Sequence, residues 1–491
     1  MLTNLNFLQP GQTWPPKSEA ERLEMYAANR KLFENKHSEV YKEAFKRIER
    51  VISNFQDVVS YPVIINYQKL MSLKVADLLL GEAPTITAGK EGSVEQLSVD
   101  NILTNTDLTN TAYEAAIDVS RYGDGLLYVY PEEGKGQIDV TQPPIWFPIV
   151  SDMNLKKILY HILAWTYVVG EGDQKKTYLK VHIHEKGQYT EREYLIDGRT
   201  INKQTKDDVI FQTGLTDYSV IQVPNVLTSD RVHGMDDYTD IDSIISELLV
   251  RIGQISRVLD KHANPSVSGP SSALELNPET KEWQLKMGNF FARDDKESPE
   301  TKYIVWDASM DANFKIIEQL INLLHAISEM GSSLLGDKGE GDGSAPSGTS
   351  LRFRLISPLA KVKRIAMRFE PALIKAIKLC SQLRGEGIVD LTKVPISVTW
   401  NDGLPEDPKE EAEIINLRTA NKPTMSVKRA LITYDGLSEK DADNEIDAID
   451  EDDSKVNPMG GQQAPFGGDN KPAGGEDDDE EGDDKNKPGF K

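Results

Sequence analysis

The chain has 491 residues, a formal net charge of −23 and one cysteine. That length exceeds what a single hydrophobic core supports, so several sub-structures joined by long elements are expected. The lone Cys380 excludes a disulfide framework and a Cys-based zinc site and fits a chain made in a reducing cytoplasm. The acidic balance argues against electrostatic gripping of a nucleic acid, which relies on Lys and Arg neutralising phosphates, yet an acidic protein can surround DNA without gripping it.

The charge is uneven: from Asp441 onward 17 acidic residues stand against 5 basic ones, so the body is only moderately acidic. The opening MLTNLNFLQPGQTWPP lacks the basic stretch and apolar run of a secretory signal, and Pro10, Pro15 and Pro16 would break such a helix. No window approaches the ~18 apolar residues of a membrane span, so any channel is made by oligomerisation in water.

In chain order, residues 17–52 read as one charged amphipathic helix. Asn66–Leu80 reads as a more apolar one stopping at Gly81 before Pro84, and Val99–Tyr122 as a third. Between Gly123 and Val223, alternating runs such as Leu126–Tyr130, Trp165–Val169 and Tyr178–His184 are separated by Gly-rich or charged turns, which predicts an antiparallel β subdomain. From Asp240, Ile241, Ile244, Ile245, Leu248, Leu249, Ile252, Ile255, Val258 and Leu259 recur at helical spacing until Asn264-Pro265. A short α+β excursion, Pro265–Ser309, ends in the strand-like Lys302–Trp306.

Helix then returns, with Phe314, Ile317, Leu320, Ile321, Leu324, Ile327 and Met330 on one face and Gly336 at the place of a left-handed cap. Asp337, Lys338, Gly339, Glu340, Gly341, Asp342, Gly343 and Ser344 offer almost nothing to a core and predict a mobile loop. A long helix from Thr349 to Arg384, roughly 50 Å at ~1.5 Å per residue, carries Pro358 and Pro371, where kinks are expected. A strand, Val394–Trp400, leads to helices at Pro408–Thr419, Ser426–Tyr434 and Ser438–Ile449, and the composition beyond Glu451 predicts disorder.

This succession of body, helix, excursion, returning helix, Gly-rich loop and long helix resembles the portal proteins of tailed bacteriophages, especially siphophages. Local matches carry the resemblance further. Asp77–Pro84 looks like the family's early helix closing on a Gly-x-x-Pro turn. Val223-Pro224-Asn225, Gly234, Ile241-Asp242 and Ala263-Asn264-Pro265 are similar to its passage through the first stem helix. Pro346–Phe353 looks like its Ser-Gly-x-Ala-Leu signature, with Ser350 where Ala is usual, and Ile396–Asp407 matches its crown approach.

The resemblance implies an α+β portal-protein fold assembled as a ring. Its parts would be a helical and β wing (1–239), a stem helix (240–263), a small α+β clip (264–309), a second stem helix (310–335), a tunnel loop (336–348), a long kinked wing helix (349–390), a helical crown (391–450) and a disordered acidic tail (451–491). It implies twelve subunits at one capsid vertex of the virion, assembled in the host cytoplasm. Double-stranded DNA would pass without sequence preference along a channel lined by the loop Asp337–Ser344. Partners would be the terminase large subunit, head-completion or adaptor proteins, and the major capsid and scaffolding proteins. Clip docking would fall on Pro265, Trp283, Phe290, Phe291 and Trp306. No cofactor, metal or membrane is implied. The alternative is an acidic cytoplasmic scaffold or adaptor without a channel.

Other motifs weigh little against this reading. The Gly-rich segment 336–343 lacks a Gly-Lys-Ser/Thr ending and follows a helix, so it is no nucleotide loop. His182 and His184 share a strand face without a third ligand, and are read as exposed strand histidines. Asp441, Asp443, Glu445 and Asp447 lack the glycine of a calcium loop. No hydrolase, metalloprotease or ATPase motif is present, so no enzyme is read here. The basic run Arg352, Arg354, Lys361, Lys363, Arg364, Arg368, Lys375, Lys378 reads first as a solvated face; the alternatives are pairing with acidic partners between subunits or contact with DNA near the crown, with subunit pairing ahead of DNA.

Overall fold

The computed structural model describes residues 1–49, 63–263, 311–332, 353–383, 385, 387–401, 408–419 and 423–456, with short strands between 267 and 303. It divides into two units, Met1–Pro405 and Glu406–Lys491.

In the first unit the region expected as one helix over 17–52 is three: α1 (Ala20–Phe33), α2 (His37–Val40) and α3 (Lys42–Glu49). The break after α1 is a left-handed cap. Asn35 has φ 66°, its N–H donates to the Leu32 carbonyl, and Lys36 N–H donates to Lys31 O at 2.8 Å, the paired bonds by which Asn or Gly closes a helix. Helix α4 (Tyr67–Leu80) begins where the sequence places it, because the Asn66 side chain accepts the Lys69 N–H at 3.0 Å.

The expected helix 99–122 is likewise two, α5 (Val94–Asn105) and α6 (Leu108–Tyr122), with Asp107 left-handed at φ 45° between them. Ser93 caps α5, and Gln96 locks that cap by accepting from Ala88 N–H and donating to Ile86 O. The sequence signal for both breaks lies in Asn35 and Asp107, residue types that tolerate positive φ.

The antiparallel β subdomain is observed. Strands β2 (Asp124–Glu132), β3 (Lys135–Val140) and β10 (Val220–Pro224) form a sheet of order β10-β2-β3. A second sheet runs β4 (Trp146–Val150), β5 (Ile158–Val169), β6 (Lys176–His184), β7 (Gln188–Asp197), β8 (Thr200–Gln204), with β9 (Val209–Gln212) also on β7. The N-terminal segment straps this sheet: Leu2 bridges Ile149, and Gly11 and Trp14 donate to the Ile201 and Arg199 carbonyls at 2.7 Å each. Its core holds Trp14, Phe147, Ile162, Leu179, Val181 and Ile201.

Gly123, at φ +85°, and Gly234 pass with their backbones in contact, and a Cβ on either would run into the other's carbonyl. Asp124, fully buried, fixes this crossing by accepting from Gly234 N–H at 3.1 Å and from Gln222 Nε2 at 2.7 Å.

Helix α7 (Asp242–Ala263) follows, then strands β11 (Val267–Pro270), β12 (Glu275–Leu276), β13 (Trp283–Gln284), β14 (Phe290–Arg293) and β15 (Lys302–Tyr303), with β11 parallel to β14 and antiparallel to β15. Helix α8 (Asp311–Ser328) packs back on α7 and closes at Glu329, φ 60°, before the expected cap at Gly336, which lies outside the described residues.

The long helix α9 is Ile356–Gln382, and its expected start at Thr349 lies outside the described residues. Phe353 and Arg354 are helical, Leu355 is not, and Pro358 sits in the first turn of α9. Proline has no N–H for the Arg354 carbonyl and its ring crowds that group, which accounts for an interruption at Leu355. Pro371 lies inside the helix. Strand β16 (Ile396–Thr399) then pairs with β1 (Thr85–Ala88) across more than three hundred residues of sequence: Thr85 faces Thr399 and Ala88 faces Ile396. The main core gathers α4, α6, α9, β2 and β3 around Met71, Val75, Ala115, Val119, Ile365 and Phe369.

The second unit holds α10 (Pro408–Thr419), α11 (Val427–Thr433), capped by Ser426, and α12 (Glu439–Val456). The last helix corrects the sequence reading, since Glu451–Val456 continue it where disorder was expected; the tail beyond lies outside the described residues.

Candidate functional site

The feature that demands explanation is α8. Ten of its eighteen residues are Ala, Ile, Leu or Phe, yet only Leu324 and Ser328 are buried. At about 100° per residue, Ile317, Leu324 and Ser328 form the strip turned to the rest of the chain. On one side of it lie Phe314 and Ile321, and on the other Ile316, Leu323 and Ile327; all five are exposed, Phe314 by 52% and Leu323 by 51%. Burying a Leu, Ile or Phe contributes about 1.5–3 kcal/mol each, so a helix open on both flanks is built to be covered on both sides.

In the neighbouring α7, Glu247 accepts from Arg251 one turn on at 2.8 Å and also from Arg47 of α3 at 2.8 Å. Ile48 packs on Gly253 and Val250 beside it.

Where α8 ends, a buried polar junction ties it to the rest. Lys361, 5% exposed at its side chain, donates to the Ser328 carbonyl and pairs with Asp237, both at 3.0 Å. A cation on the last carbonyls is favourable at a helix C-terminus, which explains why α8 stops here. Asp237 also accepts from Ser120 Oγ at 2.7 Å and Asn225 Nδ2 at 2.9 Å, and Ser120 accepts from Ser72 Oγ, which lies 2.7 Å from Tyr238 Oη. Tyr67 Oη and Ser328 Oγ are 3.0 Å apart, and Arg364 pairs with Glu329. One network thus joins α4, α6, the turn before α7, the end of α8 and the start of α9.

The basic run of the long helix therefore divides. Lys361 and Arg364 belong to the junction, and Lys375 pairs with Asp217 at 2.8 Å. Arg354, Lys363, Arg368 and Lys378 show no ion pair among the described residues, and Arg352 lies outside them. At Lys361, Arg364 and Lys375 the run is thus neither a solvated face nor paired between subunits but paired within the chain. Sequence reasoning missed the junction; the one signal was that Lys361 falls in the buried phase of α9, with Pro358, Val362, Ile365 and Phe369.

Of the other sites expected from the sequence, Asp337–Ser344, Pro265 and Trp306 lie outside the described residues. Trp283 is in β13, and Phe290 and Phe291 open β14. His182 and His184 share a face of β6 as expected but are not exposed. His184 is fully buried against Ser219 Oγ at 2.8 Å, and His182 lies 3.4 Å from Glu191. The sheet face they occupy is covered by Trp165, Tyr189 and Tyr128. Burial first, then the neighbouring His182 and His161, lowers the His184 pKa to about 3. Among the described residues no group of three His, Cys, Asp or Glu is placed to hold a metal, and no helix is long and apolar enough to cross a membrane.

Compared with known proteins, residues 16–459 match a family model described as phage portal protein, SPP1 Gp6-like. No curated protein matches the chain.

Proposed function

The chain belongs to the phage portal protein family, SPP1 Gp6-like, and we propose that it assembles as a ring of twelve subunits at one capsid vertex. Through the ring double-stranded DNA is packaged and later ejected. The observation that carries this reading is α8, whose apolar flanks stand open on both sides of its own packing strip. A closed ring is built from head-to-tail contacts, in which each subunit offers two different surfaces, one to each neighbour. A helix with two uncovered apolar flanks supplies that pair.

In this reading residues 1–239 are the wing, α7 and α8 the stem helices of 240–263 and 310–335, 264–309 the clip, 336–348 the tunnel loop, 349–390 the long wing helix, 391–450 the crown and 451–491 an acidic tail. The clip, with Pro265, Trp283, Phe290, Phe291 and Trp306, docks terminase during packaging and head-completion proteins afterwards, and the wing meets capsid and scaffolding protein. The acidic lumen repels phosphate, and Lys338 offers the one cation among Asp337, Glu340 and Asp342. Each strong phosphate contact would add a barrier to sliding.

The test is an end-on negative-stain image of the purified protein, with native mass spectrometry. A ring with a central hole is expected, and L323D/I327D is expected to leave folded subunits that do not close. Wild-type protein that stays monomeric across the micromolar range would overturn the reading. Deleting 337–344 should leave the ring intact and impair packaging or retention of DNA.

A further inference from the structure

The long helix carries a second surface that the stem flanks do not use. Ile356, Ala360, Lys363, Met367 and Pro371 recur three or four residues apart along α9 and are all exposed, Met367 by 67%. The stripe leads into a cleft of about 560 Å³ between α9, the start of β5 and the segment before β10. Lys156, Lys157, Lys186, Arg368 and Lys375 surround it, over an apolar floor that includes Ile221 and Ala372. Against these five cations stand Asp217 in the lining and Glu185 beside it. Asp217 is already engaged by Lys186 at 3.0 Å and Lys375 at 2.8 Å. Lys156, Lys157 and Arg368 have no ion-pair partner among the described residues.

We propose that this cleft is a socket in which a second copy of the chain seats carboxylate side chains, making the exposed stripe of α9 and its basic rim one half of the subunit boundary. Charge complementarity favours that occupant. Copies of a chain with net charge −23 repel one another, and a local excess of cations facing a neighbour's acids offsets that repulsion and fixes the register of the contact. An apolar stripe beside a charged rim is also the anatomy of a protein interface. A duplex fits the site poorly, because the cleft has room for a few side chains and the chain's overall charge of −23 repels a phosphate backbone.

The inference rests on the ring reading and adds to it a named contact with a salt dependence. The test compares K156E/K157E/R368E with K90E/K175E/K203E, which makes the same charge change at exposed lysines elsewhere, and with the neutral K156Q/K157Q/R368Q. Assembly is followed by mass photometry against protein concentration at low and high salt. The socket reversal is expected to raise the concentration of half-assembly at least about tenfold, while the control stays within about twofold of wild type. The neutral variant should fall between them and lose most of the salt dependence, with an unchanged melting profile. Socket variants that assemble as the control does overturn the proposal, and if they also lose retardation of a short duplex the cleft is a nucleic-acid site instead. Wild-type protein that forms no ring at all removes the ring reading and the socket with it.

Discussion

Replacing Lys361 with Met tests the junction beneath α8. The side chain is 5% exposed and holds Asp237, 8% exposed, and the Ser328 carbonyl. Removing one partner of a buried ion pair costs about 3–5 kcal/mol, because the other charge is left without compensation. Here Asp237 keeps the Ser120 hydroxyl and the Asn225 amide, which places the pair near the lower end. The orphaned Ser328 carbonyl adds about 1 kcal/mol. The expected loss is therefore about 3–4 kcal/mol in urea unfolding followed by tryptophan fluorescence. D237N/K361M, with both charges gone, should recover at least about 2 kcal/mol of that loss, since a buried pair replaced as a whole is often close to neutral. Hydrogen exchange should rise first at 324–332. A single-variant loss under about 1 kcal/mol, or strict additivity in the double variant, would refute the account of Lys361 as the pin between α8 and α9.

Acid should destabilise the β subdomain through its buried histidines. Burial, with help from Lys375 for His161 and from His182 for His184, lowers both pKa values to about 3. Unfolded histidine protonates near about 6.5, so below that pH the unfolded chain binds protons that the folded chain refuses. Stability then falls as pH drops, by up to about 1.4 kcal/mol per pH unit for each histidine. Between pH 6.5 and 5, ahead of most carboxylates, His184→Gln should give a visibly shallower slope than wild type; equal slopes would contradict this. Gly234→Ala should cost about 1–3 kcal/mol in the same assay, since its Cβ meets the Gly123 carbonyl and the two backbones must part. Cys380, whose thiol burial pushes up to about 12, should resist maleimide labelling until the chain unfolds, and rapid labelling of native protein would show that α9 opens there.

Much of the architecture could be read from the residues because it rests on local rules. Asn66 caps α4, Ser426 caps α11, and the alternating runs after Gly123 pair as antiparallel sheets. The helix breaks at Asn35 and Asp107 are not legible from apolar spacing, since one left-handed residue is all that makes each of them. The open flanks of α8 were visible only as a run of apolar positions, which a buried core helix would show equally. The junction at Lys361 was hidden for a different reason: its partners lie at 72, 120, 237 and 328, and no spacing rule connects residues that only the tertiary fold brings together. The same holds for His182 and His184, neighbours on one face of β6, which read as surface until Tyr128, Trp165 and Tyr189 packed against them.

The pairing of β1 with β16 bears on how the chain is made. Thr85–Ala88 leave the ribosome more than three hundred residues ahead of Ile396–Thr399, the strand they pair with among the described residues and one of the last parts of the first unit to be made. The loop this ladder closes spans most of the first unit, and such non-local pairing is slow to form. Until then the helix α5 that follows β1, and the core face of α9 that precedes β16, lack the clasp that holds them at this end. The first unit is thus left incomplete until Ile396–Thr399 have been made, more than three hundred residues after β1.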